Sequence, residues 1–81
     1  MQKREINLEK IKDIIADVAM ISPDFSDKAH LKDDLGLDSM TIIGIILELN
    51  QNFNVEIKSS DIKEENFSCV DNIRNFLESI I

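Results

Sequence analysis

The chain has 81 residues, enough for one small domain, and 43% of them are hydrophobic. Sixteen acidic against nine basic residues give a formal charge of −7, which disfavours binding to nucleic acid or to an anionic membrane surface. The single cysteine, Cys69, allows no internal disulfide, and the longest apolar run is far shorter than the ~20 residues that span a bilayer. The first residues also lack the apolar stretch of a signal peptide. We therefore expect one soluble domain over residues 1–81, located in the cytoplasm.

The first predicted helix begins after Asn7, whose side chain is a good N-cap. The apolar positions after it recur at helical spacing: Leu8, Ile11, Ile15 and Val18, widened by Ile14 and Ile21. Pro23 is predicted to end this helix. Residues 21–38 lose the periodicity and hold five of the nine aspartates, so they are predicted to form a long loop. The apolar residues of this loop are its predicted anchors: Phe25, Leu31, Leu35 and Leu37.

The second predicted helix covers residues 39–52. Its isoleucines are β-branched and individually favour a strand. The segment is nevertheless longer than a typical strand, does not alternate, and follows Asp38, a good N-cap. Apolar residues fall on nearly every side, which indicates a helix packed in the core or one that presents an apolar face to a partner.

A short third helix is predicted at Ser60–Glu65, and a longer one follows. Ser68 and Asp71 resemble a capping box, and the apolar stripe after them is formed by Val70, Ile73, Leu77 and Ile80. The predicted fold is all-α: a small four-helix bundle of three main helices and one short helix, with a long loop between helices 1 and 2.

The segment from Asp34 to Met40, with the sequence DLGLDSM, is the most specific motif in the chain. It resembles the signature of the acyl carrier protein family, in which an acidic residue, Leu-Gly, a variable residue, Asp-Ser and a hydrophobic residue stand at the entrance to the second helix. The resemblance extends over nearly the whole chain, because the predicted helices, the long loop, the length and the acidity also agree.

This resemblance implies that Ser39 carries 4′-phosphopantetheine, transferred from coenzyme A and joined to the hydroxyl by a phosphodiester. The terminal thiol would hold acyl groups as thioesters, and the chain would be a non-catalytic carrier. Its implied partners are a phosphopantetheinyl transferase and acyl-transferring, ligase or ketosynthase-type enzymes with basic docking surfaces. A helix start favours an attached phosphate, whereas Asp33, Asp34 and Asp38 repel it, so we expect the arm to point outward.

Two sets of residues are candidates for further roles under this resemblance. The partner-docking candidates are Asp34, Asp38, Met40, Glu48 and Glu56. The acyl-cleft candidates are Ile45, Ile46, Phe53, Ile57, Ile62, Phe67 and Val70, each of which is also a natural core residue.

Other chemistries have weaker support in the sequence. Without the resemblance, Ser39 and Asp38 would be interpreted as ordinary helix caps. Catalysis by Ser39 with His30 lacks a nucleophile-elbow motif and an oxyanion loop, so His30 is predicted to be a solvated loop residue. The aspartates lack the spacing of a calcium loop, so no metal site is expected. Cys69 is predicted to be a small buried filler.

The second helix departs from the family pattern where relatives in fatty acid synthesis carry acids. This chain has Thr41, Gly44 and the neutral run Asn50-Gln51-Asn52. We therefore expect a stand-alone, monomeric acyl carrier that serves either fatty acid biosynthesis or a specialised, polyketide-like pathway. The alternatives are an aminoacyl or peptidyl carrier, and an unmodified helical module that binds a basic groove.

Overall fold

The computed structural model describes residues 6–81 and contains three α-helices. Helix α1 spans Leu8–Ala19, α2 spans Ser39–Phe53 and α3 spans Val70–Ile80. Two short 3₁₀ turns, Ser59–Asp61 and Glu64–Asn66, lie between α2 and α3. The described residues contain no β-strand. The prediction of an all-α fold with three main helices is confirmed.

The helices pack through one apolar core. Helix α1 lies against both α2 and α3, and α3 also contacts the second 3₁₀ turn. Sixteen apolar side chains are buried, and no polar or charged side chain of residues 6–81 is buried with them. The core consists of Ile6, Ile11, Ile14, Ile15, Ala16, Leu31, Ile42, Ile45, Ile46, Leu49, Phe53, Ile57, Phe67, Val70, Ile73 and Leu77. Burial of these residues is the main favourable term for folding.

The loop between α1 and α2 is attached to the helices at several points. Leu31 is completely buried, and its backbone N–H donates to the carbonyl of Ser68 at 2.8 Å. The carbonyl of Asp27 accepts from the N–H of Asp71 at 3.1 Å. The carboxylate of Asp27 forms an ion pair with Lys12 of α1. Phe25, a predicted anchor, packs against the core. These contacts hold the loop against α1 and the start of α3.

The short fourth helix predicted at Ser60–Glu65 is only roughly supported, because two separate 3₁₀ turns stand in its place. Ile62, at the end of the first 3₁₀ turn, has φ −83° and ψ 80°, which interrupts any helix through this segment. Asn66 donates from its side chain to the carbonyl of Asp61 at 2.8 Å. Local side-chain bonds of this kind compete with helical bonds, so only two isolated turns form.

Two smaller predictions about helix ends also differ from the structure. Helix α1 ends at Ala19, ahead of Pro23, because Met20 takes a left-handed conformation with φ 59° and acts as the C-cap. The N-cap of α3 is Cys69 and makes no side-chain capping bond. Ser68 is engaged instead by the side-chain amide of Asn72, at 2.6 Å. The capping pair predicted for Ser68 and Asp71 is therefore wrong.

None of the helices in residues 6–81 is long and apolar enough to pass through a membrane.

Candidate functional site

Ser39 is the first residue of α2, and its side chain is exposed. The preceding residue, Asp38, is the N-cap, as predicted: its carboxylate accepts from the N–H of Thr41 at 2.8 Å. This hydrogen bond from the Thr41 backbone lowers the pKa of Asp38 below its ordinary value. Asp38 is therefore charged at neutral pH and is bound to the first turn of the helix.

The groups around the Ser39 hydroxyl are largely uncommitted. No hydrogen bond within residues 6–81 engages this hydroxyl. The first helical hydrogen bond runs from the N–H of Ile42 to the carbonyl of Asp38, so the N–H groups of Ser39 and Met40 have no acceptor within the helix. Two donors and the positive end of the helix dipole thus lie beside an exposed hydroxyl.

Gly36 sets the path of the chain into α2. Its φ is +70°, a left-handed conformation that glycine adopts without steric cost. Its N–H donates to the carbonyl of Lys32 at 3.1 Å, and the N–H of Leu37 donates to the carbonyl of Leu31 at 2.9 Å. The motif therefore closes a tight turn before the helix begins.

A cavity of about 230 Å³ opens beside Ser39, between the loop, α2 and the second 3₁₀ turn. Its apolar wall consists of Ile42, Ile43, Ile62 and Phe67. Its polar side chains are those of His30, Lys32, Ser39, Lys63, Glu64 and Ser68. The cavity is thus amphipathic, and it is accessible to a group attached at Ser39.

His30 is a half-buried loop residue that lines this cavity. Its Nδ1 accepts the N–H groups of Lys32 and Asp33 at 3.2 and 3.1 Å, which leaves the proton of the neutral ring on Nε2. Nε2 lies 3.7 Å from a carboxylate oxygen of Glu64. His30 therefore organises the turn before Gly36 and faces the second 3₁₀ turn across the cavity.

The predicted cleft residues divide into two groups. Ile62 and Phe67 line the cavity beside Ser39. The other five lie in the closed core: Ile45, Ile46, Phe53, Ile57 and Val70. The sequence reasoning missed Ile42 and Ile43, which line the cavity on α2. Their position one turn after Ser39 was the signal that could have identified them.

The predicted docking residues are all exposed, but two of them also stabilise the backbone. Asp34 accepts the N–H of His30 at 2.7 Å, and Asp38 caps α2. The side chains of Met40, Glu48 and Glu56 extend from the surface. Two exposed apolar residues on the same helix, Ile43 and Leu47, were not among the candidates.

Within residues 6–81 no three His, Cys, Asp or Glu side chains are grouped so that they could hold a metal ion. Cys69 is half-buried at the N-cap of α3.

A comparison with protein families matches residues 9–77 to a model described as a phosphopantetheine attachment site. The matched range runs from the first turn of α1 to the last turn of α3 and includes Ser39, the cavity and the loop.

Proposed function

The chain belongs to the phosphopantetheine attachment site family, and we propose on this basis that Ser39 is the residue that carries 4′-phosphopantetheine. When bound, this group supplies a terminal thiol that holds cargo as a thioester. Domains of this family are carriers that meet a modifying transferase and other enzymes. The observation that carries the assignment is the exposed, uncommitted hydroxyl of Ser39 at the start of α2.

The residues around Ser39 fit a phosphodiester. The N–H groups of Ser39 and Met40 and the helix dipole favour a phosphate by about 0.3 to 1 kcal/mol. The carboxylate of Asp38 opposes it, but one of its oxygens is held by the N–H of Thr41. The backbone therefore supports the linkage while the adjacent charge disfavours tight retention.

We propose an acyl cargo, as in fatty acid or specialised polyketide-like synthesis. Four apolar side chains line the cavity beside Ser39, and an acyl chain gains by leaving water there. The alternative is an aminoacyl or peptidyl cargo, which the six polar lining residues could accommodate. With either cargo, the carrier would act as a monomer in the cytoplasm. Its partner-binding surface would include Asp34, Asp38, Met40, Glu48 and Glu56.

The attachment residue is tested by intact-mass measurement. The purified chain is incubated with coenzyme A and a broad-specificity phosphopantetheinyl transferase, beside the variants Ser39→Ala and Ser68→Ala. We expect the wild type and Ser68→Ala, whose serine lines the same cavity, to gain one phosphopantetheine, and Ser39→Ala to gain none. Equal gain on Ser39→Ala would exclude Ser39. No gain on the wild type would favour the unmodified interaction module.

The cargo class is tested on the modified chain. Acyl-adenylate-forming and amino-acid-adenylating ligases are offered separately, and thioester formation is measured by mass. Loading with acyl but not aminoacyl groups is the expected result, and the reverse preference would support the aminoacyl alternative.

A further inference from the structure

His30 lies at the centre of the turn that leads to the attachment motif, and its side chain is 27% exposed. Its ring Nδ1 accepts the N–H groups of Lys32 and Asp33 at 3.2 and 3.1 Å. Its own N–H donates to the carboxylate of Asp34 at 2.7 Å, and its carbonyl accepts the N–H groups of Asp34 and Leu35. This reciprocal pattern resembles a capping box, with the imidazole ring as the capping side chain.

A histidine gives this cap a property that the usual capping residues lack. Ser, Thr, Asp and Asn side chains remain acceptors at neutral pH. A histidine changes its charge between about pH 5 and 8, and its protonated ring carries a proton on both nitrogens. A protonated His30 cannot accept at Nδ1, so the N–H groups of Lys32 and Asp33 lose this acceptor. The two ring bonds of the turn therefore form only with the neutral ring.

Carboxylates that could pair with the protonated ring are already close to it. Nδ1 lies 3.8 Å from a carboxylate oxygen of Asp33, and Nε2 lies 3.7 Å from one of Glu64 across the cavity. The other charged groups beside the ring come from the same loop and the second 3₁₀ turn: Lys32, Asp34 and Lys63. The side chains that α2 contributes to the cavity are uncharged: Ser39, Ile42 and Ile43. Protonation thus exchanges two backbone bonds for attraction to carboxylates.

The turn is connected to Ser39 by backbone hydrogen bonds. The carbonyls of Leu31 and Lys32, within the turn, accept the N–H groups of Leu37 and Gly36 at 2.9 and 3.1 Å. Helix α2 begins two residues after Leu37, at Ser39. A change in the backbone of the turn is therefore transmitted to the segment that presents the serine.

We propose that His30 is a pH-dependent positioning residue for Ser39: its neutral ring holds the turn in the conformation that presents the serine to the modifying transferase, and protonation releases the turn. The ring acts through the backbone of residues 31–37 and not on the reacting hydroxyl. This inference rests on the proposed attachment at Ser39, but it does not depend on the cargo.

The first arm of the test is nuclear magnetic resonance on the unmodified chain. The sequence contains one histidine, so the ring signals are unambiguous once any purification tag is removed. At about pH 8, the nitrogen shifts should show a proton on Nε2 and none on Nδ1. The amide signals of Lys32 and Asp33 should follow the same titration curve as the ring. The N–H of Glu9, which the side chain of Asn7 caps at 2.8 Å, is the control and should not follow it.

The second arm measures modification of the wild type, His30→Asn and His30→Ala by a broad-specificity phosphopantetheinyl transferase with coenzyme A. The value of kcat/KM is obtained by intact mass at about pH 8 and about pH 5.5, and each variant is compared with the wild type at the same pH. Asparagine keeps a side-chain acceptor at both pH values. We expect His30→Asn to equal the wild type at the higher pH and to exceed it roughly three-fold at the lower pH. His30→Ala should be roughly three-fold slower at the higher pH and equal to the wild type at the lower pH.

The carboxylate across the cavity is tested with a matched pair of variants. Glu64→Gln removes one partner of the protonated ring, so the midpoint of the ring titration should move to lower pH. Glu65→Gln, at the adjacent exposed acid, should leave the midpoint unchanged.

Two results would overturn the inference. One is a ring titration during which the amide signals of Lys32 and Asp33 stay fixed. The other is a ratio between His30→Asn and the wild type that is the same at both pH values, which would leave His30 with a merely structural role. If His30→Ala proves unfolded by circular dichroism, the asparagine variant and the titration decide alone. No mass gain on the wild type at the higher pH would contradict the attachment function, and the amide titration would still decide whether the ring holds the turn.

Discussion

Gly44 of α2 lies against Val18 of α1, and a Cβ atom at position 44 would stand 3.2 Å from Cγ1 of Val18. This separation is tighter than ordinary van der Waals contact. The absence of a side chain at Gly44 therefore sets how closely the two helices approach each other beside the core.

Gly44→Ala should lower the free energy of unfolding of the wild type by about 1 kcal/mol or less. Alanine improves helix propensity by about 1 kcal/mol, but the new methyl group crowds Val18, whose β-branched side chain is held in one rotamer. In a Val18→Ala background, the same Gly44→Ala substitution should stabilise the chain, since the crowding is gone. Urea denaturation of the wild type, the two single variants and the double variant measures this double-mutant cycle. Additive effects would show that the contact does not limit the helix approach.

Leu31 should be essential for the loop to remain attached. Its side chain is completely buried, and its N–H binds the Ser68 carbonyl, so Leu31→Ala leaves a cavity in the core beneath the motif. We expect a loss of about 2 to 5 kcal/mol in the free energy of unfolding. Leu47→Ala, at an exposed leucine, is the matched control and should change stability by less than about 0.5 kcal/mol. A small effect of Leu31→Ala in chemical denaturation would mean that the loop is not anchored through this residue.

Gly36→Ala should destabilise the chain through its backbone alone. With φ at +70° and no atom within 4 Å of an added Cβ, the substitution introduces strain but no clash. The expected cost is about 1 kcal/mol, and Gly36→Asn should cost less because asparagine tolerates this conformation. Thermal unfolding of the three proteins gives the comparison. An equal loss for both variants would contradict a purely conformational role.

Acid should selectively weaken the cap of α2. The pKa of Asp38 is lower in the folded chain than in the unfolded chain, so its contribution to stability is complete above the unfolded value and is lost as the pH falls through the folded value. The difference in unfolding free energy between the wild type and Asp38→Asn should therefore shrink below about pH 4. Asp17→Asn, an exposed carboxylate on α1, is the control. A difference that stays constant from pH 7 to pH 2 would show that the charged form is not favoured by the cap.

Much of the fold could be predicted from local patterns. Asn7 and Asp38 accept backbone N–H groups at the helix starts, as their residue types predict. The apolar periodicity identified α1 and α3, and the length of the segment correctly favoured a helix for α2 despite its β-branched residues. Caps and apolar periodicity involve residues that are close in sequence, so they can be identified from a single sequence.

The remaining features depend on contacts between distant segments. The bonds of His30 to the N–H groups of Lys32 and Asp33 are local, but its position opposite Glu64, more than thirty positions away, could not be predicted from its sequence neighbours. The segment containing Ile62 forms two 3₁₀ turns where the sequence predicted one short helix, and a side-chain bond from Asn66 to the Asp61 carbonyl spans the break between them. The orientation of α2 relative to the second 3₁₀ turn decides which apolar residues line the cavity and which lie only in the core.

The loop before Ser39 is bonded to α1 through Lys12 and to the start of α3 through Leu31 and Asp27. The serine is consequently attached to the body of the protein through contacts with α1 and with the start of α3. Under the proposed function, the distance over which cargo can be delivered would be set mainly by the length of the attached arm. Each partner enzyme would then have to bind the whole domain in an orientation that places Ser39 near its active site.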